Sequence, residues 1–312
     1  MSVETELAKV LPEKDTLLTV GVFDGVHLGH QYLISQLVAQ AGQQGLLPGV
    51  VTFRQHPQEV LDPRTRLSFL TDLAERSRLL KNEGVAIIVS LSFTAEAARL
   101  NARQFVGLLW KYLRMRGLVI GSDFALGQYR EGNPDALRAL GEEMGFSVTV
   151  VPPVKLDRKV VSSTAIRQAL ADGDVKKVYR LTGHPFSLYG RVVTGAGRGV
   201  SLGFPTANLD VDPEQAVPAD GVYAGWTYIN GRAYQSMINV GRNPTFADSE
   251  RTVEAYILDY KDDLYGQELR LDIVARLREE KRFDSAEELK RQIAEDIVHG
   301  RSILGSGGKG RV

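Results

Sequence analysis

The sequence predicts two folds in succession: an α/β half built on a parallel sheet with helices on both faces, then a small antiparallel β-barrel with one packed helix. Three observations carry this prediction. Apolar runs of strand length recur through the first half and alternate with helical stretches. After Gly183-His184-Pro185 the texture changes to short strands of alternating polarity. Among those strands, Asn230-Gly231 is a strong two-residue hairpin signal.

In the first half the runs are Leu17–Phe23, Gly49–Phe53, Val85–Leu91, Gly117–Gly121 and Ser147–Val151. The helical stretches between them have recognisable starts. Asp72 precedes Glu75, and Asn101 precedes Gln104, at capping-box spacing. Asn133-Pro134 supplies an N-cap with proline at the first helical position. Strands so interleaved form a parallel sheet buried on both faces. Ala171–Gly183 reads as a closing helix capped by Gly183, so the boundary falls there: 1–183 is one domain and 184–304 the next. The second half offers strands at Gly190–Thr194, Val222–Ile229, Ala233–Val240, Arg251–Leu258 and Glu268–Arg276. A last amphipathic helix, about Asp284–His299, carries Leu289, Ile293, Ile297 and Val298, with Asp284 as its expected cap. The glycine-rich, basic tail 305–312 is expected to be disordered.

Composition narrows the function. A chain of 312 residues has room for two cores, and 43% hydrophobic with 24% charged residues is ordinary for a globular protein. Lys plus Arg equals Asp plus Glu at 38 each, without the basic excess of a general nucleic-acid binder. The absence of cysteine removes disulfides, thiolate nucleophiles and cysteine metal sites, and suits the cytoplasm. No signal core and no membrane-length apolar stretch is present, so no membrane partner is expected. The oligomeric state, a homo-oligomer included, stays open.

The stretch with most chemistry is Gly21–His30, G-V-F-D-G-V-H-L-G-H, at a strand-to-helix transition. Gly21, Gly25 and Gly29 permit backbone angles or approaches that a Cβ would block. His27 and His30 share one face of the first helical turn, beside free backbone N–H groups and the positive end of a helix dipole. Phosphate binds to such an arrangement. Taken alone, H-x-G-H is as readily a glycine turn with two surface histidines.

Ligands of open parallel sheets bind beyond the carboxyl ends of the strands. Three further stretches are therefore expected to converge there: Thr52–Pro57, Gly121–Gly132 with Asp123, and Ser162–Arg167. His56-Pro57 by itself is a turn opening, and Ser163 and Thr164 by themselves suit an N-cap. Arg167 follows them at helical spacing, so all three can face one anion. In the second half a glycine loop, Gly195, Gly197 and Gly199, leads to Gly203-Phe204-Pro205-Thr206-Ala207-Asn208. Thr206 and Asn208 alternate along an extended segment and offer oxygen donors suited to Mg²⁺. An ordinary bulge loop would have the same composition. Glu254 stands among β-formers, where a lone glutamate on its own merits is a solvated carboxylate on the outer face.

Together and in this order, the motifs resemble bacterial bifunctional riboflavin kinase/FAD synthetases. The first is similar to the signature of H-x-G-H nucleotidylyltransferases with their Rossmann-like sheet. Thr52–Pro57, Gly121–Gly132 and Ser162–Arg167 are similar to that family's next three segments, and G-F-P-T-A-N to its riboflavin kinase motif. Gly221–Gly225, Asn239–Phe246 and Leu264–Gly266 agree with it. The resemblance implies that His27, His30 and Arg167 act catalytically in adenylyl transfer. Gly21, Phe23, Asp24, Gly25 and Gly29 would line the ATP site, with Asp123 near the sugar or base, and Ser163 and Thr164 on the outgoing pyrophosphate. In the kinase half it implies that Gly195, Gly197, Gly199, Gly203, Phe204 and Pro205 bind ATP and flavin. Thr206 and Asn208 would hold Mg²⁺, and Glu254 would take the proton from riboflavin. ATP is then co-substrate, with riboflavin, FMN and FAD as substrates and products. Leu126, Val200 and His184 depart from the family pattern. They keep two other readings in view, an enzyme with one live activity and a non-catalytic flavin-responsive binder.

Overall fold

The computed structural model describes residues 2–62, 64–195, 197, 199, 202–242 and 251–306. Its chain separates into two compact units, 1–162 and 163–312.

The first unit is a five-stranded parallel sheet: β1 (Thr16–Val20), β2 (Leu47–Phe53), β3 (Ile87–Leu91), β4 (Met115–Gly121) and β5 (Ser147–Val151). Their order is β3-β2-β1-β4-β5. Neighbours run parallel, as in Leu18 opposite Gly49 and Leu118. Alternate residues serve opposite faces. Leu17, Val50 and Val119 pack with Ile34 and Leu37 of α2 (Leu28–Gln44) and with Leu80 of α4 (Leu73–Asn82). Leu18, Val51 and Leu118 pack with α1 (Val3–Leu7) and α5 (Ala102–Leu113) on the other side. Burial on both faces explains why the strands read as continuous apolar runs.

Chain order fixes the site's position. The sheet grows one way from β1 to β3 and then restarts on the other side of β1 with β4. Strand order reverses beside β1, where crossovers diverge and leave a crevice at the carboxyl ends. Gly21–His30 follows β1, and Gly121–Gly132 follows β4.

After α6 (Pro134–Met144) and a two-stranded ribbon, β6 (Lys155–Leu156) with β7 (Lys159–Val160), the second unit opens with α7 (Ser163–Ala171) and α8 (Val175–Thr182) and continues into a closed six-stranded antiparallel barrel. Its strands are β8 (Phe186–Val193), β9 (Ala207–Val211), β10 (Gly221–Ile229), β11 (Arg232–Arg242), β12 (Arg251–Ile257) and β13 (Glu268–Arg278). Around the barrel they follow β10-β11-β12-β9-β8-β13. Asn230 and Gly231 both have positive φ, 49° and 76°, as the tight β10–β11 turn requires. Helix α9 (Ala286–Ser306) lies on the outer wall, where Ile297 and Leu304 meet Ala224, Met237 and Trp226.

The structure departs from sequence expectation at several places. The expected closing helix, Ala171–Gly183, starts later than read: Ala171 ends α7, the chain turns at Gly173 with φ 72°, and α8 begins at Val175. Both belong to the barrel unit, where Leu170 accepts from the Ala219 N–H and α8 packs on β13, so the compact units part at 162/163. Strand β9 was expected only as an extended segment. Ser285, not Asp284, caps α9, its hydroxyl accepting from the Glu288 N–H at 3.2 Å. Val298 is 71% exposed; the helix runs on to Ser306, and Leu304, six residues further on, is buried. Gly305 and Ser306 are thus helical, and the rest of the expected tail lies outside the described residues.

Candidate functional sites

In the first unit the chain leaves β1 through a strained turn. Phe23, Gly25 and Val26 all have positive φ, at 53°, 79° and 34°. A β-branched residue such as Val26 rarely adopts this conformation, and strain of this kind collects at functional sites. Asp24 pins the turn. It is 2% exposed, and its carboxylate accepts from the Leu70 N–H at 2.9 Å and the Thr71 N–H at 3.1 Å. The Gly25 N–H in turn donates to the Thr71 hydroxyl at 3.0 Å. Asp24, expected to line the ATP site, is therefore committed to holding the loop. Phe23 is likewise buried, with its ring edge-on to His30 at 5.1 Å.

The turn delivers the two histidines as a stack. Their rings lie 3.6 Å apart and 15° from parallel. His27 caps α2, its Nδ1 accepting the His30 N–H at 3.3 Å, so the neutral ring carries its proton on Nε2. At Gly29 a Cβ would sit 3.1 Å from the His27 ring, so glycine there lets the imidazole lie against the helix start. Burial pushes His27 down to about 4 from its ordinary 6.5. Burial, reinforced by His27 and Arg76, holds His30 well below the same value. Both rings are neutral at pH 7. They are donors at a helix N-terminus, not cations.

The other expected residues of this half are placed as follows. Gly21 continues the β1–β2 ladder, its N–H reaching the Val51 carbonyl at 3.0 Å, and a Cβ on it would press on the Phe23 ring. His56 caps α3 (Pro57–Leu61), its Nδ1 accepting from the Gln58 N–H at 3.3 Å, as the turn-opening reading has it. Asp123 is exposed after β4, with its carbonyl bound by Arg130 at 3.2 Å. Leu126 is buried in the core and exchanges backbone hydrogen bonds with Gly132. Ser163, Thr164 and Arg167 lie on α7, in the second unit.

The barrel site is built on one row of the sheet. Asn208 of β9 stands opposite Glu254 of β12, and Glu254 opposite Asn239 of β11. Directly opposed residues share a face, and here it is the outer one, because Val253, Ala255 and Ile257 alternate into the interior. Glu254 is nonetheless only half-exposed. The Thr206 hydroxyl donates to its Oε2 at 3.2 Å, and Phe204 stands edge-on to Tyr256, 5.5 Å away on the same face. Two glycines approach closely: a Cβ on Gly195 would collide with the Asn208 side chain, and one on Gly199 with the Phe204 carbonyl. Gly203 has φ 89°, while Gly197 and Pro205 are exposed. Asn239 is a residue that sequence reasoning did not single out for the site. Its signal was available, since it stands between buried Ile238 and Val240 and so faces the side of Glu254. Val200 and the 243–246 part of the Asn239–Phe246 motif lie outside the described residues. His184 is tied by its N–H to the Thr182 hydroxyl at 3.3 Å.

Among the described residues no group of three His, Cys, Asp or Glu could hold a metal. The oxygen donors of Thr206 and Asn208 are instead of the kind that a hard cation takes while keeping waters and phosphate oxygens as its other ligands. No helix of the described residues is long and apolar enough to cross a membrane.

Comparison with known proteins agrees with this division. The family model for FAD synthetase matches residues 11–165, and that for riboflavin kinase residues 182–304. The chain is 37% identical to a bifunctional riboflavin kinase/FMN adenylyltransferase of Escherichia coli K12 over 94% of each protein. A protein of the same description from Listeria monocytogenes is 35% identical over 92% of each. Among solved structures, one described as a macrolide-efflux protein from Streptococcus pneumoniae is 34% identical with a TM-score of 0.87, covering 95% of this chain and 96% of that one. Length, order and both halves match, so the chain belongs to the family of bifunctional riboflavin kinase/FMN adenylyltransferases.

Proposed function

We propose that the barrel unit phosphorylates riboflavin to FMN and that the first half, through His27 and His30, adenylylates FMN to FAD. What supports this is the stacked His27–His30 pair at a helix start and the Thr206–Glu254 pair on the barrel wall, each within the stretch matched by the corresponding family model. In the kinase step Glu254 accepts the proton of the riboflavin 5′-hydroxyl as its oxygen bonds to the γ-phosphorus of ATP and the bond to ADP breaks. Thr206 already donates to Oε2. That hydrogen bond orients the carboxylate and leaves Oε1 for the substrate hydroxyl. The glycine loop lets backbone N–H groups approach the phosphates. Mg²⁺ fits the oxygen donors of Thr206 and Asn208, and when bound it neutralises phosphate charge.

In the second step an FMN phosphate oxygen bonds to the α-phosphorus of another ATP, and the bond to pyrophosphate breaks. The nucleophile is already an anion, so alignment and charge stabilisation suffice. The neutral N–H groups of His27 and His30 and the start of α2 supply donors for the transferring phosphates. The family resemblance assigns the hydroxyls of Ser163 and Thr164 and the guanidinium of Arg167, carried by α7, to the pyrophosphate. The partners in this reading are small molecules, and a cysteine-free chain suits the cytoplasm.

Separate assays test the assignment. Glu254→Gln abolishes FMN formation while FAD formation from supplied FMN survives. His30→Ala stops the sequence at FMN. Loss of both activities in the first variant, or normal FAD output in the second, would overturn the assignment.

A further inference from the structure

Arg76 is the least expected side chain of the first unit. It lies on α4, and at 1% exposure it is among the largest fully buried side chains of the chain. A buried guanidinium is costly unless it is hydrogen-bonded, and here its two terminal nitrogens reach three separate segments. One terminal nitrogen, Nη1, donates to the Phe53 carbonyl at 2.9 Å and the Thr52 hydroxyl at 3.4 Å, both at the end of β2. The other, Nη2, donates to the Thr71 carbonyl at 3.2 Å and lies 3.9 Å from the Asp24 carboxylate. The guanidinium also covers the Phe69 ring at 5.1 Å.

These segments support the histidine stack. Thr52 donates onward to the Val22 carbonyl at 2.9 Å, inside the strained turn. Thr71 and Leu70 hold Asp24 and Gly25 of the same turn. Removing the fork would release β2's end, the 69–71 strap and the turn at once. Arg76 also acts on His30 directly, because its charge opposes protonation of that ring. The charged and titratable groups in reach of His30 are His27, Arg76 and, through Arg76, Asp24.

We propose that Arg76 is a positioning residue for FMN adenylylation: it locks the Phe23–Val26 turn to the end of β2 and so fixes the neutral His27–His30 stack at the start of α2. The proposal rests on the assignment of adenylylation to that stack. A misaligned stack would lower kcat more than substrate affinity, because displacements of about 1 Å can cost about 100-fold in rate.

The test uses the full chain with Arg76→Met and Arg76→Lys, beside His30→Ala. Arg76→Met is expected to lower kcat for FAD formation by about 100-fold. The KM for ATP should stay near its wild-type value, and the acid limb of the pH profile should move to higher pH as His30 becomes easier to protonate. Arg76→Lys, which keeps the charge without the fork, should return the acid limb to its wild-type place but recover only part of kcat. FMN formation should be unchanged in both. Wild-type kcat in Arg76→Met overturns the proposal, as does a loss of kcat with an unmoved acid limb. If Arg76→Met does not fold, a folded Arg76→Lys with wild-type kcat overturns it. Normal FAD output from His30→Ala would instead remove the underlying site assignment, so the two failures are distinguishable.

Discussion

Acid pH should unfold the first unit through its histidine stack. His27 titrates at about 4 in the folded chain against an ordinary 6.5, mainly because it is buried. Below pH 6.5 the unfolded ring takes up a proton that the folded ring refuses until about pH 4. Stability is therefore complete above pH 6.5 and falls as pH descends through this window. At about 1.4 kcal/mol per unit, the shift is worth about 3 kcal/mol, a large fraction of an ordinary domain's stability. His30 adds to the loss in the same direction.

The chain carries its own reporter. It has two tryptophans, Trp110 on α5 of the first unit and Trp226 on β10 of the barrel. In a Trp226→Phe background, urea unfolding followed by Trp110 fluorescence reads the first unit alone. The perturbation is His27→Asn, since asparagine is an excellent N-cap and does not titrate. Carboxylates titrate equally in both proteins, so the histidine contribution is the difference between them. That difference should change by about 3 kcal/mol between pH 7 and pH 4. A difference constant across the range would refute the claim that the imidazole is held neutral by burial.

Two further outcomes concern the barrel. Gly195→Ala forces a Cβ into the Asn208 side chain, so kcat for FMN formation should fall by about 10–100-fold while FAD formation from FMN is unaffected, as steady-state assays of each step would show. Asp296 of α9 is 6% exposed and takes the Arg278 Nε at 3.0 Å and its terminal nitrogen at 2.9 Å. Asp296→Ala leaves that cation without its partner and should cost about 3–5 kcal/mol, read from the urea midpoint of Trp226 fluorescence.

Much of this architecture was legible because it is written in local rules. The strands of the sheet are buried on both faces and so appear as apolar runs. The caps at Asp72, Asn101 and Asn133 each bond the backbone N–H that their spacing predicts. The hairpin at Asn230-Gly231 follows from backbone sterics alone. What escaped the sequence depends on packing between distant segments. The helices on either side of Gly173 are both held by the barrel unit, and no periodicity reveals that allegiance. Arg76 reads as one more polar residue on a helix until Thr52, Thr71 and Asp24 are brought around it.

Glu254 shows where the division falls. Strand alternation puts it on the outer wall, and by itself that argues for a solvated carboxylate. Residues remote in sequence change its surroundings: the Thr206 hydroxyl donates to its Oε2, and Gly195 approaches Asn208, its neighbour across the row, more closely than a Cβ would allow. A barrel this small fills its interior with side chains. Chemistry has to be done on the wall, and a water-excluding cover must come from a loop that can approach a strand more closely than any side chain would permit. The glycines before Phe204 and the carboxylate on β12 are thus two parts of one requirement, and the Gly195→Ala and Glu254→Gln variants should fail in the same step for different reasons. The first should raise the KM for ATP along with lowering kcat, because it displaces the cover. The second should lower kcat alone, because it removes only the proton acceptor.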